Sequence, residues 1–186
     1  RSADVEYARC WGGAIKLIGK AAKVGFGHIS GLVSPAFVRN SCQLAGVDDV
    51  YNAILVRGDA IGDVVFYGRG AGKMPTASAV VADVIDCAKH VLKKKNFGWD
   101  DSGPDYVIDY LDAETALYVR AYAPLPVEAL EAAGRTFEEI QVLSRKDAPD
   151  NEIAFVTPRA TERELRTKLE TLHGLDIQSV IRVTDY

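Results

Sequence analysis

Residues 66–84, FYGRGAGKMPTASAVVADV, constrain the fold more than any other stretch, because an apolar strand runs into a glycine-rich turn and directly on into a helix. Gly68, Gly70 and Gly72 let the backbone turn sharply and leave no Cβ in the way of a ligand. Pro75 suits the first helical position, since its φ is already helical and the N–H it lacks would have no partner there. Unpaired N–H groups then gather at the positive end of a helix dipole, which favours an anion. Glycine before a helix also marks backbone geometry alone, so the flanking residues have to decide. A P-loop would put glycine at 67 and Ser or Thr at 74, where Tyr67 and Met74 stand. The dinucleotide fingerprint fails as well: after Gly68 and Gly70, Lys73 occupies the place of the third glycine. A nucleotide-binding protein of either kind is thereby weakened.

The run GRGAGKMPTASAVVAD at 68–83 resembles the end of the catalytic region of homoserine dehydrogenases, which carry a GxGAG turn followed by a P-T-A-x-A-V-x-x-D helix. Upstream, VYNAILVRGDAIGDVVFYG at 50–68 is similar to the hairpin before that turn, and DVEYARCWGGAIKLIGKA at 4–21 to the helix before the hairpin. The resemblance implies an oxidoreductase that interconverts L-homoserine and L-aspartate 4-semialdehyde with NAD or NADP, in threonine, methionine and isoleucine biosynthesis. By the same resemblance, Ala71, Gly72 and Thr76 would border the cofactor. The family's acidic substrate ligands and its lysine proton donor have no counterpart here. Lys16 has Gly12 rather than Asp four residues before it and reads as a helix-surface lysine. An N-terminal dinucleotide-binding domain would be missing, so the chain is expected to hold no catalytic residue, bind no cofactor by itself and be inactive alone. The residue that chooses between NAD and NADP would sit in that domain.

A chain of 186 residues, 48% hydrophobic and 26% charged, suffices for one ordinary core or two small ones and is expected to be a soluble globular protein. With 22 basic and 26 acidic residues the net charge is -4, so nothing draws it to nucleic acid or an anionic membrane. The basic run Lys93–Lys95 reads as the solvated last turn of a helix. Cys10, Cys42 and Cys87 are widely spaced and odd in number, which points to a reduced, cytoplasmic setting and to three small buried apolar groups. His28, His90 and His173 share no ligand spacing, so no metal is expected. No apolar run reaches the roughly 20 residues that cross a bilayer, and no signal peptide is expected.

Along the chain, Val5, Ala8, Ile15, Ile18 and Ala22 predict an amphipathic helix over 3–23, broken by Gly12-Gly13. HISGLVSPAFVR at 28–39 predicts an edge or bent strand, 41–46 a short helical turn, and VYNAILVRG with AIGDVVFYG two strands joined at Gly58-Asp59. The helix from Pro75 carries Ala77, Val80, Val81, Val84, Ala88 and Val91 on one side and needs a sizeable partner, which in the family is the nucleotide-binding domain. After a turn-rich stretch at 96–110 come strands at 116–123, 138–145, 152–157 and 178–184, with helices at 127–133 and 162–173. Thr161 and Glu164 form a capping box and Gly174 ends the last helix. The βαββαβ order is that of a ferredoxin-like split unit and resembles an ACT domain, an amino-acid-sensing module. The expected architecture is α+β: part of a homoserine dehydrogenase substrate domain at 1–95, a linker at 96–112 and an ACT-like domain at 113–186, assembled as a homodimer or higher homo-oligomer. In the amino-acid-binding turn of such a module, Ala123 and Pro126 replace the acidic residue and the glycine, and Gly134 is expected to cut the following helix short. The alternative reading is a non-catalytic ACT-type sensing or dimerisation module.

Overall fold

The computed structural model describes residues 1–93, 98 and 105–184. In chain order the elements are α1 (Ser2–Cys10), β1 (Gly13–Val24), β2 (His28–Arg39), a 3-10 turn at Gln43–Gly46, β3 (Tyr51–Gly58), β4 (Gly62–Arg69), α2 (Lys73–Lys89), a 3-10 turn at Tyr110–Asp112, β5 (Glu114–Tyr122), α3 (Pro126–Phe137), β6 (Gln141–Leu143), β7 (Glu152–Val156), β8 (Ala160–Thr161), α4 (Glu162–Glu170) and β9 (Asp176–Val183). They form two compact units, one of residues 1–45 with 103–186 and one of residues 46–102. This division does not coincide with boundaries at 95 and 113: the N-terminal helix and hairpin fold into one body with the C-terminal strands. Of the expected linker at 96–112, residues 96, 97 and 99–104 lie outside the described residues. Its described end is tied to β2, for the Ile29 N–H donates to the Tyr106 carbonyl at 3.0 Å and the Ile108 N–H to the Ile29 carbonyl at 3.0 Å.

In the first unit the sheet runs β1-β2-β9-β5-β7-β6, with β8 on β5. Among the described strand pairs only β2–β9 is parallel, through Ala36 opposite Arg182 and Phe37 opposite Val183. Because strand side chains alternate between faces, β5 sends Leu117, Val119 and Ala121 to one side, where they meet Phe137, Ile153, Phe155, Leu165 and Leu169 from α3, β7 and α4. It sends Ala116 and Tyr118 to the other, where Tyr7, Ala8 and Trp11 of the α1 segment pack with Phe37, Ala154 and Val156. Phe37 stacks on Tyr118 with ring centroids 4.4 Å apart, a contact worth about 0.5–1.5 kcal/mol beyond its area.

The helix expected over 3–23 stops at Cys10, and residues 13–24 are a strand. Gly12 turns the chain at φ +86°, and a Cβ on Gly13 would strike the Val38 carbonyl oxygen and the Trp11 ring. Lys16 consequently stands on β1 opposite Ala36, not on a helix surface. The helix after β5 runs through Gly134 to Phe137 and ends where Glu138 takes φ +69°. Thr161 and Glu164 make the reciprocal bonds of the capping box on α4. Of the three cysteines only Cys42 is buried, while Cys10 and Cys87 are exposed. No described helix is long and apolar enough to cross a membrane.

The second unit pairs β3 with β4 from Tyr51 opposite Arg69 to Gly58 opposite Gly62, followed by α2. Helix α2 begins at Lys73, so Pro75 is its third residue, still among the positions whose N–H has no intrahelical acceptor. It ends at Lys89, before the lysine run, of which Lys94 and Lys95 lie outside the described residues. The apolar side of α2 is open: Val80, Val81 and Val84 are 56%, 55% and 61% exposed, and no described residue from 46 to 93 is buried.

Two glycines test this reading of the first unit. Gly13→Ala should lower stability by about 1–3 kcal/mol, because backbone and an indole ring both stand in the way. Gly134→Ala, with open space around the added methyl, should raise it by about 0.5–1 kcal/mol. Urea denaturation of both variants checks the pair.

Candidate functional site

The glycine-rich turn joins the end of β4 to the start of α2 within the second unit. Gly72 is the N-cap of α2, with φ 119° and ψ 153° and no side chain to cap the helix. That positive φ strains any side-chain-bearing residue, which explains the glycine. The Thr76 N–H donates to the Gly72 carbonyl at 3.2 Å and closes the first turn. Before it, the N–H groups of Lys73 and Met74 have no acceptor within the helix, and Pro75 has none to offer. Ala71, Gly72 and Thr76 are all exposed, so the three residues singled out from the sequence lie together on one open helix terminus.

Gly70 has a different reason to lack a side chain. A Cβ there would collide with the Asn52 carboxamide, which packs against the loop from β3. Beside it Tyr51 stacks on Tyr67, centroids 4.9 Å apart and planes 9° off parallel, and the Arg69 guanidinium lies 5.6 Å from the centre of the Tyr51 ring. At the far end of the hairpin Arg57 grips Asp63 through two hydrogen bonds of 2.6 and 2.8 Å. The hydrogen bond from Arg57 holds the Asp63 carboxyl below its ordinary value. Asn52, Tyr51 and Arg69 escaped the sequence reading, although the alternation of two strands around a tight turn already sets Asn52 opposite Gly68.

Between Gly68 and Thr76 the ionisable side chains are Arg69 and Lys73, both cationic. With the open helix terminus they suit the loop to holding an anionic group; it contains no carboxylate, imidazole or thiol that could move a proton. Among the described residues no cluster of His, Cys, Asp or Glu could hold a metal ion. Gly70→Ala should displace the Asn52 carboxamide, shifting amide resonances of residues 51–53 and 68–72 in a 1H–15N correlation spectrum and leaving those of β5 and β7 in place.

Comparison with known proteins extends the likeness well beyond this loop. The profile of the family described as homoserine dehydrogenase matches residues 1–85. The homoserine dehydrogenase of Neisseria gonorrhoeae is 32% identical over 94% of this chain and 43% of its own length. That of Mycobacterium bovis is 39% identical over 97% of this chain and 46% of its own. Among solved structures, a homoserine dehydrogenase from Thiobacillus denitrificans superposes with a TM-score of 0.75 at 28% identity, over 98% of this chain and 45% of that one. The S. aureus enzyme at pH 6.0 gives 0.72 at 28% identity, with 98% and 45% covered. The chain thus spans less than half the length of the relatives it matches, and the profile over residues 1–85 and the sequences and structures over nearly all of the chain share one likeness, to homoserine dehydrogenases.

Proposed function

We propose that the chain is the C-terminal part of an NAD(P)-dependent homoserine dehydrogenase, the enzyme that interconverts L-homoserine and L-aspartate 4-semialdehyde, and that it supports the cofactor without supplying the reacting groups. The observation that carries this reading is the GRGAGKMPTASAVVAD segment set at an open helix terminus beside two cations, in a chain whose likeness to such enzymes covers nearly all of it. When bound, NAD(P) supplies or accepts the hydride. The share of this chain would be to offer the N–H groups of Lys73 and Met74 and the bare backbone of Gly72 to an anionic part of the cofactor, with Ala71 and Thr76 at its border. The open apolar side of α2 fits a missing dinucleotide-binding domain and a homo-oligomer. Exposed patches of that kind are uncommon on monomers.

A longer polypeptide containing these residues should oxidise L-homoserine with NADP or NAD, whereas the purified 186-residue chain should give no turnover. Absorbance at 340 nm reads both reactions. Turnover by the short chain, or none by the long one, would overturn the reading.

A second role, amino-acid sensing by an ACT-type module, draws support from the strand order β9-β5-β7-β6 with α3 and α4 over one face. That is the split βαββαβ arrangement. The turn after β5 is nevertheless poor in donors. Ala123 is 1% exposed and its N–H is already given to the Asn151 carbonyl at 2.8 Å, while Pro124 and Pro126 have no N–H. Each charge-assisted bond lost there is worth about 1.5–3 kcal/mol, so threonine should bind weakly or not at all and the module would serve assembly instead. Calorimetric titration with L-threonine checks this, and a saturable micromolar isotherm would contradict it.

A further inference from the structure

The α1 face of the first unit holds a buried cluster of charge that the reading above does not use. Arg120, on β5 and 2% exposed, donates from Nε to Asp4 Oδ1 at 2.8 Å and from Nη1 to Glu152 Oε2 at 3.0 Å. Glu152 Oε1 also accepts from Arg145 Nε at 2.8 Å and from the Tyr7 hydroxyl at 3.1 Å. Asp4 accepts from the Tyr118 hydroxyl at 3.1 Å and from the Arg1 main-chain nitrogen at 3.1 Å. Arg145 reaches Glu6 Oε2 at 3.1 Å. Asp4, Glu6 and Tyr7 belong to α1, and Arg120, Tyr118 and Glu152 to β5 and β7. Burial opposes the charge on Asp4, but the hydrogen bond from Arg120 and those from Arg1 and Tyr118 outweigh it and hold the carboxyl below its usual value. At Glu152 burial is likewise overcome, by Arg145, Tyr7 and Arg120. Burial and the neighbouring Glu152 push the Tyr7 hydroxyl up to about 12, so it remains a donor. Folded values below the unfolded ones mean that this contribution is complete at neutral pH and is lost only as pH falls through the depressed values.

Three observations bear on what the cluster does. Helix α1 has nine residues, too few to persist without tertiary support. Arg120 Nη2 is buried without a hydrogen-bond partner, so the guanidinium has no spare acceptor to fall back on. On the opposite face the buried carboxylate among the described residues is Glu162, paired with Arg182 and Arg166 and sharing no partner with the cluster. We propose that Asp4, Arg120, Glu152 and Arg145 form a charge latch through which β5 and β7 hold α1 on the sheet, so that disturbing Arg120 releases α1 as a local unit while the α3 and α4 face stays folded. The latch joins a helix inside the stretch the family profile matches, residues 1–85, to strands outside it. A shift of β5 would therefore be felt at α1.

Hydrogen exchange read by NMR at neutral pH tests this on the whole chain. Arg120→Met leaves Asp4 with only the Arg1 ammonium and Glu152 with only Arg145 as cationic partner, and the amides of Tyr7 and Ala8 should lose about 100-fold or more in protection, with Leu165 and Leu169 unchanged. The combined Asp4→Leu, Arg120→Met, Glu152→Met variant removes every uncompensated charge at once and should restore protection at Tyr7 and Ala8. Glu162→Gln should loosen Leu165 and spare α1. Should Arg120→Met fail to fold, Asp4→Asn, which keeps shape and an acceptor for Tyr118, reads the same change at α1. Wild-type protection at Tyr7 and Ala8 in Arg120→Met and Asp4→Asn, or equal loss on both faces, would overturn the latch.

Discussion

A guanidinium on the central strand of a sheet is the constraint around which the first unit is arranged. Arg120 stands where the alternation of β5 turns every second side chain toward α1, and Leu117, Val119 and Ala121 take the other face. A buried cation is tolerable only with carboxylates in contact. One comes from the first turn of α1 and the other from the start of β7, so both elements are pinned by the same group. Leaving such a charge unpaired costs about 3–5 kcal/mol, against a total stability for a domain of about 5–15 kcal/mol. The aromatic contacts among Tyr7, Trp11, Phe37 and Tyr118 then give the helix its shape-specific seat, and Asp4 ties its first turn to β5.

How much of this was legible in the sequence depended on how locally each feature is encoded. The C-terminal strands and helices could be read because their periods are unambiguous and their ends carry chemistry, as with the Thr161 and Glu164 cap. The glycine turn was legible for the same reason: strand, turn and helix follow one another without a gap, and the structure sets Ala71, Gly72 and Thr76 on one helix terminus. Residues 13–24 misled because Ile15, Ile18 and Ala22 fit a helical spacing, although both faces of this hairpin carry apolar side chains and so blur the alternation of a strand. The steric demand that settles it, a bare Gly13 against Val38 and Trp11, involves a residue on the next strand, Val38, that no local pattern around Gly13 announces. Asp4 stands in the first turn of a helix, where acids are ordinary, and nothing near it in sequence announces a partner at position 120. The reading of Gly134 as a helix end failed for the opposite reason: a cluster of buried side chains on α3 carries the helix past a weak residue.

The two units differ in what closes them. The first has a core on each face of its sheet, one apolar and helical, one aromatic and ionic. The second has paired strands, a helix and a shaped loop, yet no buried residue among those described. Order in its loop comes from short-range contacts: the Asn52 carboxamide under Gly70, the Tyr51 and Tyr67 rings stacked across the hairpin, and the Arg57 and Asp63 pair at its tip. Such contacts fix local geometry, and they bury little apolar surface.

The parallel pairing of β2 with β9 has a bearing on the order of biosynthesis. Chains leave the ribosome from the N-terminus, and among the described strands of this sheet β9 emerges after all the others. Until it does, the Ala36 and Phe37 edge of β2 has no neighbour, and Tyr7, Trp11 and Phe37 await Tyr118 and Val183 to complete their enclosure. These aromatic residues thus stay uncovered while the strands between β2 and β9 are being made, a window in which a nascent chain is exposed to chaperones and to aggregation. A ribosome that stops short of residue 176 leaves the β1–β2 hairpin without its link to β5, so the sheet stays divided.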